Sequence, residues 1–145
     1  MLNNLKNAAL ISLVSLLLHS YTYAQNENQI AENLTIESEA SSIVLNYLDA
    51  LSQGDTIAIK ELLGGQYLEN RSTQLDNPNY TNTLSKIYSN ANSEILDTEI
   101  IDDINIAVDT KIALSPDEIL WRRFIVTKDD DEKLKIIDER EHSKQ

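Results

Sequence analysis

The sequence predicts an α+β domain: helices near its amino end packed on a curved, cone-like antiparallel sheet, preceded by an export signal. Three observations predict it. Apolar residues recur at spacings of three and four from Ala40 to Leu51. A strict two-residue alternation runs from Ile104 to Leu114. Two further apolar, β-branched segments follow, each after an acidic turn. Helices first and a meander second is the α+β order, because the helix stripe needs an apolar sheet face to cover it.

The export signal reads from the first residues. Leu2 to Asn7 is polar and carries one cation, Lys6. Ala8 to Leu18 is apolar except for Ser12 and Ser15, and Thr22 and Ala24 suit a signal-peptidase site. This is the charged, apolar, small-residue order of a secretory signal. The run is too short for a membrane-spanning helix, which needs about 20 residues. Residues 1–24 are therefore expected to be removed, which leaves 121 of the 145 residues in the periplasm or secreted. With no cysteine, the chain offers neither a lipid attachment point nor a disulfide. One domain of this length can bury a sufficient core by packing alone.

Removing Lys6 from the 12 cations leaves 11 against 24 anions, a net charge of −13. Such a surface repels phosphate backbones and anionic lipid. Nucleic acid is thus not an expected partner, nor is a membrane once the signal is gone.

The elements follow in order. Residues 25–37 are polar and read as a flexible leader. The first helix starts near Ser38, with the stripe Ala40, Ile43, Val44, Tyr47, Leu48 and Leu51. Gly54 stops it, since glycine takes a left-handed conformation freely. Asp55 or Thr56 caps a short helix over 57–63, with the stripe Ile59, Leu62 and Leu63. Gly64 and Gly65 end it, and residues 66–79 have no clear period. Pro78 opens a third helix that buries Leu84, Ile87 and Tyr88. Residues 93–101 read as a strand whose apolar residues straddle both parities, which calls for a bulge. The strand over 104–114 leads through Ser115, Pro116, Asp117 and Glu118 into a strand over 119–128. Residues 129–133 form another turn, 134–139 a last strand, and 140–145 a frayed tail.

Tyr47-Leu48-Asp49-Ala50-Leu51, then Gly54-Asp55, then Ile59 to Leu63 form one half of a recognisable layout. Phe124 to Thr127, an acidic turn, and Leu134-Lys135-Ile136-Ile137-Asp138 form the other. Over residues 38–139 this resembles the nuclear transport factor 2-like superfamily, also called SnoaL-like. The resemblance implies a cup: a cone of bent strands around an interior cavity, lidded by the first helix. It implies no particular reaction, because the superfamily includes isomerases, dehydratases, transport factors and binding modules. Dimers are common in that family, and apolar residues on both faces of the 119–128 strand suit a homodimer.

Turn geometry proposes what lines the cup. A turn at Pro116-Asp117 pairs Ser115 with Glu118 and Leu114 with Ile119. Ile112 then faces Trp121, Thr110 faces Arg123, and Val108 faces Ile125. The next turn pairs Ile125 with Ile136 and Arg123 with Asp138, and sends Arg122 and Glu139 to the opposite face. The candidate ligand site is therefore an Arg123–Asp138 ion pair inside the cup, beside Trp121, Thr110 and the hydroxyl of Tyr47. A charge there must be paired or wet. One slip of register swaps the faces.

Chemistry beyond binding finds little support. His142 is the one histidine after the signal, and it lies in the tail. No Gly-x-Ser-x-Gly elbow occurs, and the acidic run at Asp129 lacks the spacing of a calcium loop. Tyr47 or Tyr67 with Asp138 would make an isomerase-like pair on paper, but no pattern selects them. No catalytic residue, metal ligand or cofactor is assigned. The expectation is a non-catalytic binding or interaction module, with a small ligand or a protein as partner. An isomerase- or dehydratase-like enzyme and an envelope accessory or inhibitor are the alternatives.

Overall fold

The computed structural model describes residues 29–142. The chain divides into one unit ending at Ile36 and a second beginning at Glu37. In the first unit the described residues, 29–36, are helical. The second unit carries the fold, an α+β arrangement of helices followed by a four-stranded open antiparallel sheet.

Helix α1 covers 29–53, so the described part of the expected leader is helical from residue 29 rather than irregular. No glycine or proline interrupts the chain between Gln25 and Gln53, and nothing there opposes helix. The signal, 1–24, and residues 25–28 lie outside the described residues. Within the second unit the stripe is buried as its period requires: Ala40, Val44, Tyr47, Leu48 and Leu51 are inside.

Gly54 ends α1 at φ 67°, donating its N–H to the carbonyl of Leu51. Asp55 then caps α2 (Thr56–Leu62), its Oδ1 accepting from the N–H groups of Ile57 and Ala58 at 3.1 and 3.0 Å. Gly64 comes close to the last strand, and its N–H donates to the Ile136 carbonyl at 2.9 Å. The stretch without a clear period forms α3 (Gly65–Leu75), in which only Leu75 is fully buried. Asn77 caps α4 (Pro78–Tyr88), with Pro78 in its first turn. Leu84 is buried and Tyr88 half-buried, but Ile87, expected inside, is 46% exposed.

The strands are β1 (Asn92–Ile100), β2 (Asn105–Ser115), β3 (Glu118–Lys128) and β4 (Leu134–Glu141), hydrogen-bonded in that order. The expected bulge in β1 falls between Ile95 and Asp97. β4 runs past the expected fraying point: Arg140 and Glu141 pair with Arg123 and Arg122, and the N–H of His142 donates to the Trp121 carbonyl at 3.0 Å.

Two further irregularities set the faces. Ser115 pairs with Glu118 as expected, but Ala113 pairs with Ile119, so Leu114 is an extra residue. From there Ile112 faces Leu120, Thr110 faces Arg122, Asp109 faces Arg123 and Val108 faces Phe124. In the next hairpin Val126 pairs with Ile136 but Ile125 with Asp138, so Ile137 is extra. Phe124 therefore meets Glu139. Phe124 touches Tyr47 of α1 edge to face, centroids 5.7 Å apart, which identifies the helix-covered face. Val108, Thr110, Arg122, Val126 and Glu139 share that face by alternation, and Thr98 joins it through its hydroxyl bond to Ser41 at 2.8 Å.

The turn after α1 can be tested directly. A Cβ on Gly54 would lie 2.7 Å from the carbonyl oxygen of Thr81 in α4. The left-handed backbone adds a cost of about 1–2 kcal/mol for any L side chain. Gly54→Ala is expected to destabilise the protein by at least that amount, read as a lower urea midpoint at unchanged slope.

Candidate functional site

The polar residues that converge inside the fold come from five elements. Tyr67 and Arg71 sit four apart on α3, so both face one way. Tyr47 comes from α1, Tyr80 and Tyr88 from α4, Arg122 from β3 and Glu139 from β4. The extra residue Ile137 turns Glu139, rather than Asp138, toward the helices.

Arg71 is the centre. Its Nη1 donates to the hydroxyls of Tyr47 and Tyr67, the latter at 2.7 Å, and its Nη2 donates to Tyr80 at 3.2 Å. The guanidinium carbon lies 5.3 Å from the centroid of the Tyr67 ring and 6.0 Å from that of Tyr47, within cation–π range. The Tyr67 hydroxyl in turn donates to Glu139 Oε2 at 2.6 Å. Glu139 is bracketed by two cations, with Arg71 Nη1 3.6 Å from Oε2 and Arg122 Nε 3.4 Å from Oε1.

Burial raises the hydroxyl pKa of Tyr47, and the nearby Glu139 charge raises it further. Tyr67 is raised by burial, by Tyr47 and by Glu139. Tyr88 is raised by burial first and by Glu139 second. Burial works against the Arg71 charge, but Tyr47, Tyr67 and Tyr80 outweigh it and hold the guanidinium above its ordinary value. The raised phenols thus keep their protons at neutral pH, beside the guanidinium groups of Arg71 and Arg122 and the carboxyl group of Glu139. Such a set can grip a polar ligand by hydrogen bonds and charge.

Of the residues expected to line the cup, two are on this side. Tyr47 is wholly buried with its hydroxyl on Arg71, and Thr110 is buried with its hydroxyl on the Arg122 carbonyl at 3.2 Å. Arg123, Asp138 and Trp121 are not: the slip at Leu114 carries Trp121 and Arg123 to the opposite face, and the extra Ile137 keeps Asp138 there with them. The expected Arg123–Asp138 pair does not form. Arg123 instead forks onto Asp109 at 2.7 and 2.6 Å, and Asp138 takes Arg140 at 2.9 and 2.6 Å. Asp109 is 5% exposed, and its hydrogen bonds raise the Arg123 pKa. His142 Nδ1 lies 3.6 Å from the same carboxylate. This neutralises a buried acid across adjacent strands, a packing role.

Arg71, Tyr80, Tyr88, Arg122 and Glu139 were not singled out by the sequence. The signal that could have found them is the Tyr67–Arg71 spacing in a stretch with almost no apolar period. A separate open groove of about 780 Å³ runs between α1, α2 and the β3–β4 turn, bordered by Ile43, Leu62, Leu134, Glu61, Lys133 and Lys135. Its lining joins Lys135 Nζ to the Glu61 carbonyl, whereas the cluster gathers side chains from five elements on Arg71 and Glu139, so the cluster is the better candidate site. Among the described residues, no group of three or more acidic or histidine side chains is arranged to hold a metal, and no helix is long and apolar enough to cross a membrane. No protein-family model and no characterised protein matches the chain.

Two outcomes follow from the cluster. Tyr47 and Tyr67 have folded pKa values above their ordinary value of 10.0, so the folded state keeps protons that the unfolded chain has already lost. Their stabilising contribution is complete below pH 10 and is lost as pH rises above it. Tyrosinate absorbance at 295 nm from these residues should appear only together with loss of the near-ultraviolet circular dichroism signal. Second, Tyr67→Phe removes a donor from a carboxylate and should cost about 1.5–3 kcal/mol in chemical denaturation. Tyr80→Phe removes a longer bond at the margin and should cost about 0.5–1.5 kcal/mol.

Proposed function

We propose that this chain is an exported, non-catalytic binding module of the nuclear transport factor 2-like kind, with residues 38–139 as its domain and the Arg71 cluster as its ligand site. The order of elements supports the family reading: a long helix, the Gly54-Asp55 break, a short second helix and a closing antiparallel hairpin. The charged, apolar, small-residue order of 1–24 supports export to the periplasm or beyond.

The observation that carries the binding reading is the state of Glu139. Its oxygens face the Tyr67 hydroxyl and two guanidinium groups. A carboxylate directed at fixed donors is organised to hold charge in place, whereas a general base must be aimed at a substrate proton. A second reading, docking of a protein segment, is favoured by the open groove beside α2, where apolar and charged side chains alternate.

Native mass spectrometry of the protein purified from its own cells tests this. A small-molecule adduct is expected, released by denaturation and recovered at the same mass after incubation with fresh folded protein. Conversion of the released compound to a different mass would overturn the non-catalytic reading. An adduct of protein mass would transfer the assignment to the groove.

A further inference from the structure

We infer that the Arg71–Arg122 side of the cluster is a receptor for the carboxylate of a small organic acid, a monoanion. The inference rests on the binding-module reading and names the ligand class of that site. Three features carry it.

The first is charge. Arg71 and Arg122 share one half-buried carboxylate, Glu139, and the exposed Glu141 is Arg122's partner in the ladder, so one positive charge is left over among the half-buried groups alone. The chain as a whole has a net charge of −12, so this spot runs against its surroundings. A monoanion closes the local balance, whereas a dianion leaves an excess negative charge in a partly desolvated place.

The second is donor supply. Arg122 meets Glu139 through Nε, and among the described residues no hydrogen bond engages its Nη1 or Nη2, nor the hydroxyl of Tyr88. Tyr88 lies within electrostatic reach of Glu139, Arg122 and Arg71. A planar guanidinium end with two parallel N–H groups matches the two oxygens of a carboxylate, and a neutral phenol adds a third donor.

The third is access. The side chains of Arg71, Arg122 and Glu139 are 17%, 29% and 21% exposed. Among the described residues no fully buried polar side-chain atom lacks a partner, so the unengaged donors of Arg122 and Tyr88 reach solvent. The tyrosine rings beside them offer an apolar wall to the body of the acid.

The probe is sodium benzoate, titrated into isotope-labelled full chain and followed by amide chemical shifts at constant ionic strength. Benzamide serves as the neutral isostere, sulfate as the dianion and a blocked dipeptide with a free carboxyl end as the chain-terminus mimic. Saturable shifts in α3, α4 and β4 are expected with benzoate, none with benzamide and weaker ones with sulfate. Arg122→Gln should weaken benzoate about tenfold or more, since a charge-assisted pair is lost. Tyr88→Phe, which keeps every charge and preserves the test if Arg122→Gln fails to fold, should weaken it about two- to tenfold. Arg140→Gln, on the opposite face, should leave it unchanged. Equal shifts with benzamide, no saturation with benzoate, or equal loss in Arg140→Gln would each overturn the site. Saturation by the dipeptide alone would overturn the small-acid assignment. A native adduct without benzoate binding counts against this site only, and chemical conversion of that adduct counts against the module reading only.

Discussion

The arrangement depends on where the sheet accommodates two extra residues. Side chains in a strand alternate between faces, so one inserted residue exchanges the faces of everything beyond it. Leu114 does this between β2 and β3, and Ile137 does it between β3 and β4. Together they put Phe124 and Val126 against the helices, bring Arg122 and Glu139 to the same side, and send Arg123 and Asp138 away. Without the first of these irregularities, Ile125 rather than Phe124 would stand opposite Val108, and Arg123 would share that helix-covered face opposite Thr110. The hydrophobic requirement explains the choice: Phe124 and Val126 are wholly buried, and neither has a polar atom to satisfy.

Much of the fold was legible because it is written in period and punctuation. The Ala40 to Leu51 stripe, the Gly54-Asp55 break, the Pro78 helix start and the four strands all follow from local rules that the structure obeys. The bulge in β1 could be read from its mixed parity. The register of the two hairpins could not: at β3–β4 the turn is one residue longer than expected, so Lys128 pairs with Leu134 and Val126, not Ile125, with Ile136, and at β2–β3 turn chemistry fixes pairing only next to the turn. At the β2–β3 turn the expected Ser115–Glu118 pair is present, and the slip begins one residue later at Leu114. α3 was illegible for a different reason. Its inward face is Tyr67, Arg71 and Leu75, so an arginine breaks the hydrophobic period at its middle.

The two charged groupings of the sheet illustrate different solutions to burial. Asp109, on the outer face, is neutralised by one arginine through a fork, a closed pair with its geometry complete. Glu139, on the inner face, meets two arginines and a phenol, none of which forms a fork with it. The first fixes adjacent strands, and the second leaves directional capacity over.

The two margins of the sheet differ in kind. β4 is sutured to the helical layer: Leu63 bridges Ile136 and the Gly64 amide meets its carbonyl. Among the described residues β1 has no such backbone seam, only the hydroxyl bond of Thr98 to Ser41, and an open strand edge is a template for a foreign strand. Its defence is local, a kink at Ile95–Asp97 together with Glu94, Asp97 and Glu99. Neutralising those three acids would weaken that barrier and leave the kink, and it would act on the Arg123 side of the sheet, the face opposite the Arg71 cluster.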